Sequence, residues 1–237
     1  MELLVPLIII GVVAAIVVAV IHHYKRERER REALHRLAQE LGWRFDPGRD
    51  RSHDDEYAHF EIFRRGHSRA AYNTLTGQLD IMGRPFNAKM GDFTYKVTTS
   101  NGKTTQTTTY RFSYLIVHLP FVHVPALIIR QEGLFDRVAG FFGFGSIDFE
   151  SAAFNRQFYV NGEDKKFAYD VIHPRMMEFL MQTRPPAVDI ERGRLCLSNG
   201  RRRWSPEQYR SQIVWLEQFF AQWPAHVQAE LQSRETA

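Results

Sequence analysis

His118 and His123 lie five residues apart, and Asp148 and Glu150 alternate with Ile147 and Phe149 further along the chain. Imidazoles and carboxylates can share a divalent cation such as zinc. A helical H-x-x-x-H pair would fix the two ligands on one face, but here Pro120 and Pro125 bracket the second histidine and leave the separation undefined. The simpler reading is of half-buried histidines, and of carboxylates on the outer face of a half-exposed strand. With His173 added, the residues His118, His173, Asp148 and Glu150 are the dispersed set from which an enzyme's site would have to be assembled. Cys196 stands between Leu195 and Leu197, where a small apolar residue fits a strand. Being the single cysteine, it excludes an intramolecular disulfide and any multi-cysteine metal site. The run "GFFGFG" lacks the G-x-G-x-x-G spacing that opens a dinucleotide-binding helix, and Walker, nucleophile-elbow and kinase motifs are absent. On these grounds no catalytic, cofactor-binding or metal-ligating residue is assigned, and no cofactor is expected.

The elements that would position such residues begin with a sharply divided amino terminus. Leu3 to Ile21, "LLVPLIIIGVVAAIVVAVI", is 19 residues without a charge, with Pro6 and Gly11 inside it. At ~1.5 Å per residue this nearly spans a ~30 Å hydrocarbon core. A cleavable signal peptide would want a basic start and a small-x-small site, whereas this chain opens Met1-Glu2 and leaves the run at Ile21 before two histidines. The expectation is an uncleaved anchor contacting the lipid bilayer through residues 3–21. Lys25, Arg26, Arg28, Arg30 and Arg31 follow on one side only, which by the positive-inside rule puts the body in the cytoplasm and the amino terminus outside, in a cell inner membrane. Glu27 has Arg30 and Arg31 at helical spacing, and Leu34, Leu37, Ala38 and Leu41 make an apolar stripe before Gly42, so one helix is expected to run from the membrane into the body.

Charge restricts the partners of the rest. The chain carries 31 basic and 27 acidic residues, a net +4, with no strongly basic surface implied beyond the juxtamembrane run. Nucleic acid is therefore not an expected partner, and Arg201, Arg202 and Arg203 after an Asn-Gly turn read as solvated loop charge.

With 44% hydrophobic and 13% aromatic residues, the chain after the anchor can bury one core, and neither a linker nor a repeat divides it. The expected organisation is residues 1–42 as anchor and juxtamembrane helix and residues 43–237 as one cytoplasmic domain. "DDEYAHFEIF" fits a short helix or a first strand. "RAAYNTL" and "QLDIMGR" read as strands turning at Thr76-Gly77. "FTYKVTTSNGKTTQTTTYRF" has Asn-Gly between β-branched and aromatic residues, a strong hairpin signal. A two-residue turn at Asn101-Gly102 would place Asp92 opposite Arg111 and Thr94 opposite Thr109. Aromatics crowd the base and the tip is polar, so the hairpin should protrude into water, with Thr99, Ser100, Asn101, Gly102, Lys103 and Thr104 as a candidate surface for a membrane or cytoplasmic protein partner. A phosphate cradle would want more glycines ahead of a helix. "YLIVHL" reads as a central strand, "ALIIR", "IDFES" and "FNRQFYV" as further strands, and "GLFDRVAGFFGFG" as a short helix into a loop. Lys165 to Gln182 has helical spacing with a kink at Pro174, and "AVDIERGRLCLS" is a hairpin turning near Gly193. Ser205-Pro206-Glu207-Gln208 is a capping box, after which Tyr209, Ile213, Leu216, Phe220 and Trp223 form one apolar face. The class is α+β: a transmembrane helix, then a mainly antiparallel sheet with a long hairpin and packing helices.

As a set, "GDFTYKVTTSNGKTTQTTTYRFSYLIVHLP", "IDFESAAFNRQFYV" and "KKFAYDVIHPRMMEFL" behind a single span resemble a family of bacterial membrane-anchored proteins designated only as a domain of unknown function. The resemblance runs from about Trp43 to the end and implies the same architecture, without a catalytic residue to carry over. Two function classes remain open: a non-enzymatic interaction or assembly module at the cytoplasmic face of the membrane, and a membrane-tethered enzyme with a dispersed site.

Overall fold

The computed structural model describes residues 4–121, 123–132 and 145–233, with the side chains of residues 4–10 outside the description. The 38-residue helix α1 (Leu4–Leu41) is followed by β1 (Arg44–Asp50), α2 (His53–Glu56), α3 (Glu61–Arg64), β2 (His67–Ile81), β3 (Arg84–Ser100), β4 (Thr105–His118) and β5 (Leu127–Gln131). Then come α4 (Ala152–Asn155), β6 (Phe158–Gly162), α5 (Lys165–Val171), α6 (Pro174–Thr183), β7 (Ala187–Glu191), β8 (Arg194–Ser198), α7 (Pro206–Ala221) and α8 (Ala225–Ser233). Among the described residues the strands form one antiparallel sheet of eight, in the order β1-β2-β3-β4-β8-β7-β5-β6. The architecture is thus α+β.

Strand alternation gives the sheet two apolar faces. On one, Leu75, Met90, Leu115 and Val117 meet Leu34, Leu37 and Ala38 of α1 and Tyr209, Leu216 and Phe220 of α7 in the main core. On the other, Tyr57, Phe60 and Phe63 from the α2–α3 segment cover Phe93, Phe112 and Tyr114. The stretch "DDEYAHFEIF" is therefore helical, and the first strand is β1, ahead of it.

Several expected boundaries move. Thr76-Gly77 is not a turn: β2 runs straight through it, and Gly77 is needed because the Trp43 indole lies where a side chain would be, 2.3 Å from an ideal Cβ. The chain reverses instead at Met82-Gly83, both with positive φ (57° and 72°), the pair of left-handed residues a tight hairpin requires. "IDFES" is irregular, because the Asn155 side chain bonds the Phe149 N–H and C=O in place of a neighbouring strand. "FNRQFYV" is half helix α4 and half strand β6, and residues 133–144 of "GLFDRVAGFFGFG" lie outside the described residues. The 165–182 segment is two helices, since Pro174 forces His173 into extended backbone (ψ 170°) and then starts α6. The capping box at Ser205 forms in full, and the apolar face behind it is buried.

Among the described residues no helix is long and apolar enough to cross a membrane. Of the apolar run, Leu3 lies outside the described residues and Pro6 lies in α1 with its side chain outside them. Within the apolar run, the side chains described are those from Gly11 to Ile21.

Candidate functional site: the seam between the long helix and the sheet

Arg30 is the residue on which α1 is clamped to the body. Its Nε donates to Asp92 Oδ2 at 2.7 Å and its Nη2 to Asp92 Oδ1 at 2.6 Å, while Nη1 donates to the Trp204 carbonyl at 2.9 Å. Asp92 is fully buried, and it also accepts from Ser113 Oγ at 2.8 Å and Asn73 Nδ2 at 3.3 Å. Ser113 Oγ in turn accepts the Trp204 N–H at 2.8 Å. Burial works against the Arg30 charge, but the hydrogen bonds and charge of Asp92 outweigh it and hold the guanidinium above its ordinary value. A planar fork meeting a carboxylate in two parallel bonds fixes orientation as well as distance. One turn earlier Glu27 pairs with Arg203 at 2.8 Å, which holds its carboxyl below the usual range, and towards the other end Glu40 pairs with Arg210. Gly42 (φ 68°) then closes α1, with Gly42 N–H on the Gln39 carbonyl and Trp43 N–H on Ala38.

These contacts correct two expectations. Glu27 does not pair within its own helix but with Arg203 of the body, and Arg30 is likewise held by Asp92. Lys25, Arg26, Arg28 and Arg31 remain exposed. Asp92 does not face Arg111: the hairpin is two residues out of the expected register, with Asp92 opposite Ser113, Thr94 opposite Arg111 and Ser100 opposite Thr105. The reason is the turn. Only Gly102 has positive φ (82°), and the Asn101 side chain closes a four-residue loop by accepting from Lys103 N (3.1 Å) and Thr104 N (2.8 Å). Thr99, Ser100, Asn101, Gly102, Lys103 and Thr104 are all exposed at its tip. A shift of two keeps each side chain on its expected face.

A polar cleft of ≈ 340 Å³ lies beside α2, where Asp50, Glu56, Tyr57, Lys89 and His118 meet. Lys89 Nζ lies 3.1 Å from Glu56, 3.6 Å from Asp50 and 5.0 Å from the Tyr57 ring centre, so the charges facing the cleft largely satisfy one another. Burial, aided by the Arg194 charge, pushes the His118 imidazole below its ordinary value. Of the dispersed set only His118 lines this cleft. His173 bonds the Gln222 carbonyl through Nε2 at 2.9 Å, and Asp148, Glu150 and His123 are exposed. Among the described residues no three His, Cys, Asp or Glu side chains are grouped to hold a metal. Cys196 is buried, and burial raises its thiol well above the usual range, against use as a nucleophile.

The seam was missed from sequence because Arg30, Asp92, Ser113 and Trp204 come from four distant segments. A lone Asp in an otherwise apolar and aromatic stretch, "MGDFTY", was the one available signal.

Fold and seam together define a class: an antiparallel α+β domain with a long amino-terminal helix clamped through a buried ion pair. No family model matches this chain, and no curated protein sequence matches it. A crystal structure of the mycobacterial trehalose monomycolate transport factor A is similar in fold, with a TM-score of 0.56 at 11% identity over 83% of this chain and 97% of that one. At that identity the likeness is one of fold alone.

Proposed function

We propose that this protein is a non-enzymatic interaction or assembly module held by α1 at the cytoplasmic face of a bacterial inner membrane. One observation carries the reading. The described apolar residues from Gly11 to Ile21 are all exposed, with Val12 at 53%, Ile16 at 57%, Val18 at 63% and Ile21 at 62%, on a helix whose far end is fixed by Arg30 to the sheet. A continuous apolar surface of this kind is costly in water and calls for a lipid or protein cover. The absence of charge continues back to Leu3, and the exposed Lys25, Arg26, Arg28 and Arg31 lie on the body side alone, which supports a bilayer as the cover and a cytoplasmic body. The paired charges of the Lys89 cleft favour binding over catalysis. The terminal strand β1 offers a protein partner backbone to pair with, whereas β6 at the other end is already bonded by Ile147 N–H to the Val160 carbonyl.

The test is expression of the full chain in a bacterial host. It should stay with the membrane after alkaline carbonate washing and leave it in detergent, and a reporter active only outside the cytoplasm should be silent when fused after Ala237. Release by carbonate would remove the anchor, and an active reporter would reverse the orientation.

A further inference from the structure

Two contacts, and one longer-range charge interaction, give the direction of the β3–β4 hairpin relative to α1. Trp43, at the carboxyl end of α1, lies on Gly77, which pairs with Ala88 of β3. Arg30 reaches Asp92. Glu27 feels the charge of Arg111, which pairs with Thr94. Moving back along α1 towards the apolar run therefore moves forward along β3 towards its tip. The ~20 Å of helix from Trp43 to Arg30 matches ~13 Å of strand from Ala88 to Asp92, so the strand is inclined but advances the same way. Carried on at that inclination, the ~20 Å of strand from Thr94 to Ser100 advances ~13 Å along the helix axis, against ~9 Å from Glu27 to Ile21. The tip thus comes level with the end of the apolar run, where a ~5–7 Å headgroup layer would lie.

The hairpin's chemistry suits that depth. Between Phe93 and Phe112 there is no Asp or Glu, while Lys96, Lys103 and Arg111 are all exposed. Tyr110, 41% exposed, is stacked on Tyr95 at 5.0 Å between ring centres, an amphipathic pair of the kind found at membrane interfaces. The threonines between them bear hydroxyls and no apolar bulk, so the tip is fitted to headgroups and not to the hydrocarbon. The loop carrying Arg202 joins the same end of the body, its carbonyl accepting from Ser113 N–H.

We propose that the β3–β4 hairpin lies on the membrane surface as a second contact beside α1, its Lys96, Lys103 and Arg111 taking anionic phospholipid headgroups. The proposal rests on the anchor reading of α1. With Arg30 fixing one angle and the hairpin the other, the body has one orientation on the bilayer, and the cleft at Lys89 lies at the end of β3 away from the hairpin tip.

The experiment places a fluorescent thiol label at Thr104→Cys or Val12→Cys in the full chain; Cys196, 2% exposed, stays unlabelled. Each is reconstituted into vesicles of phosphatidylcholine, alone or mixed with anionic phosphatidylglycerol, carrying nitroxide quenchers on headgroups or mid-chain. The Thr104 label should be quenched by headgroup nitroxide, at least about two-fold more with phosphatidylglycerol present, and glutamine at Lys96, Lys103 and Arg111 should remove that difference without changing the melting curve. The Val12 label should be quenched mid-chain in both lipids. A Thr104 label unquenched while Val12 is quenched overturns the hairpin contact, leaves the anchor standing and returns the hairpin to a protein partner. A Val12 label untouched by either quencher overturns the anchor reading.

Discussion

Two buried polar side chains carry opposite consequences for stability. Asp92 is fully buried and fully partnered, so removing Arg30 leaves a carboxylate without its cation. Arg30→Met should cost about 3–5 kcal/mol in urea unfolding, whereas Arg203→Ala, whose pair with Glu27 is partly exposed, should cost about 1 kcal/mol or less. His53 is the contrary case. It lies fully buried among Tyr57, Phe63, Phe93 and Tyr114, with neither ring nitrogen hydrogen-bonded, and burial, with Lys89 nearby, lowers its pKa to about 3. The unfolded chain takes up a proton near the ordinary histidine value of 6.5 while the folded one does not, so stability falls as pH drops from 6.5 towards about 3. The slope is about 1.4 kcal/mol per pH unit in that window. His59, lowered to about 4 by burial and by the charge of Arg194, adds to the same limb. His53→Phe should make unfolding less sensitive to pH between 6.5 and about 4, as followed by denaturant melts; an unchanged slope would mean the folded protein accepts the proton.

At the scale of elements, the hairpin and the last long helix divide the sheet's stability unequally. The hairpin tip is exposed, so serine at Thr99, Thr104 and Gln106 should change unfolding free energy by less than about 1 kcal/mol. Asn101→Ala removes the acceptor that closes the loop and should loosen the tip locally, visible as faster amide exchange at Lys103 and Thr104 with an unchanged melting temperature. On α7, Phe220 packs against Phe86 at 5.5 Å, and just beyond its end Trp223 packs against Phe167 at 5.8 Å. Alanine at either should cost about 3–5 kcal/mol.

For the whole molecule, α1 is both lever and core element. Leu34, Leu37 and Ala38 are wholly buried, so the helix cannot be separated from the body at the end of the basic run. Deleting residues 1–22 keeps Glu27 and Arg30 and should give a cooperatively melting body free of detergent. Deleting residues 1–31 removes the clamp as well, and should lower the melting temperature by about 10 °C relative to the shorter deletion. Equal melting temperatures would show that the Arg30 pair contributes no net stability.

What the sequence determined by itself was whatever depends on neighbours along the chain. Nineteen uncharged residues beside five bases, Gly42 after a helical stripe, Asn101-Gly102 between strand formers and Ser205 to Gln208 before a helix all act within a few residues, and each can be read without knowing the fold. The helix end, the existence of the hairpin and the capping box appear where those signals place them. Tertiary structure decided what depends on distant groups. Gly77 resembles a turn residue until Trp43 is seen lying on it, and the hairpin slips two residues because an Asn101 side chain competes with the tight turn. Arg30 looks like one of five equivalent bases, and Asp92 like the partner of Arg111. Only the packing of α1 against β1, β2 and α7 brings the two together, in a buried setting where a charge must find its partner wherever in the chain that partner lies.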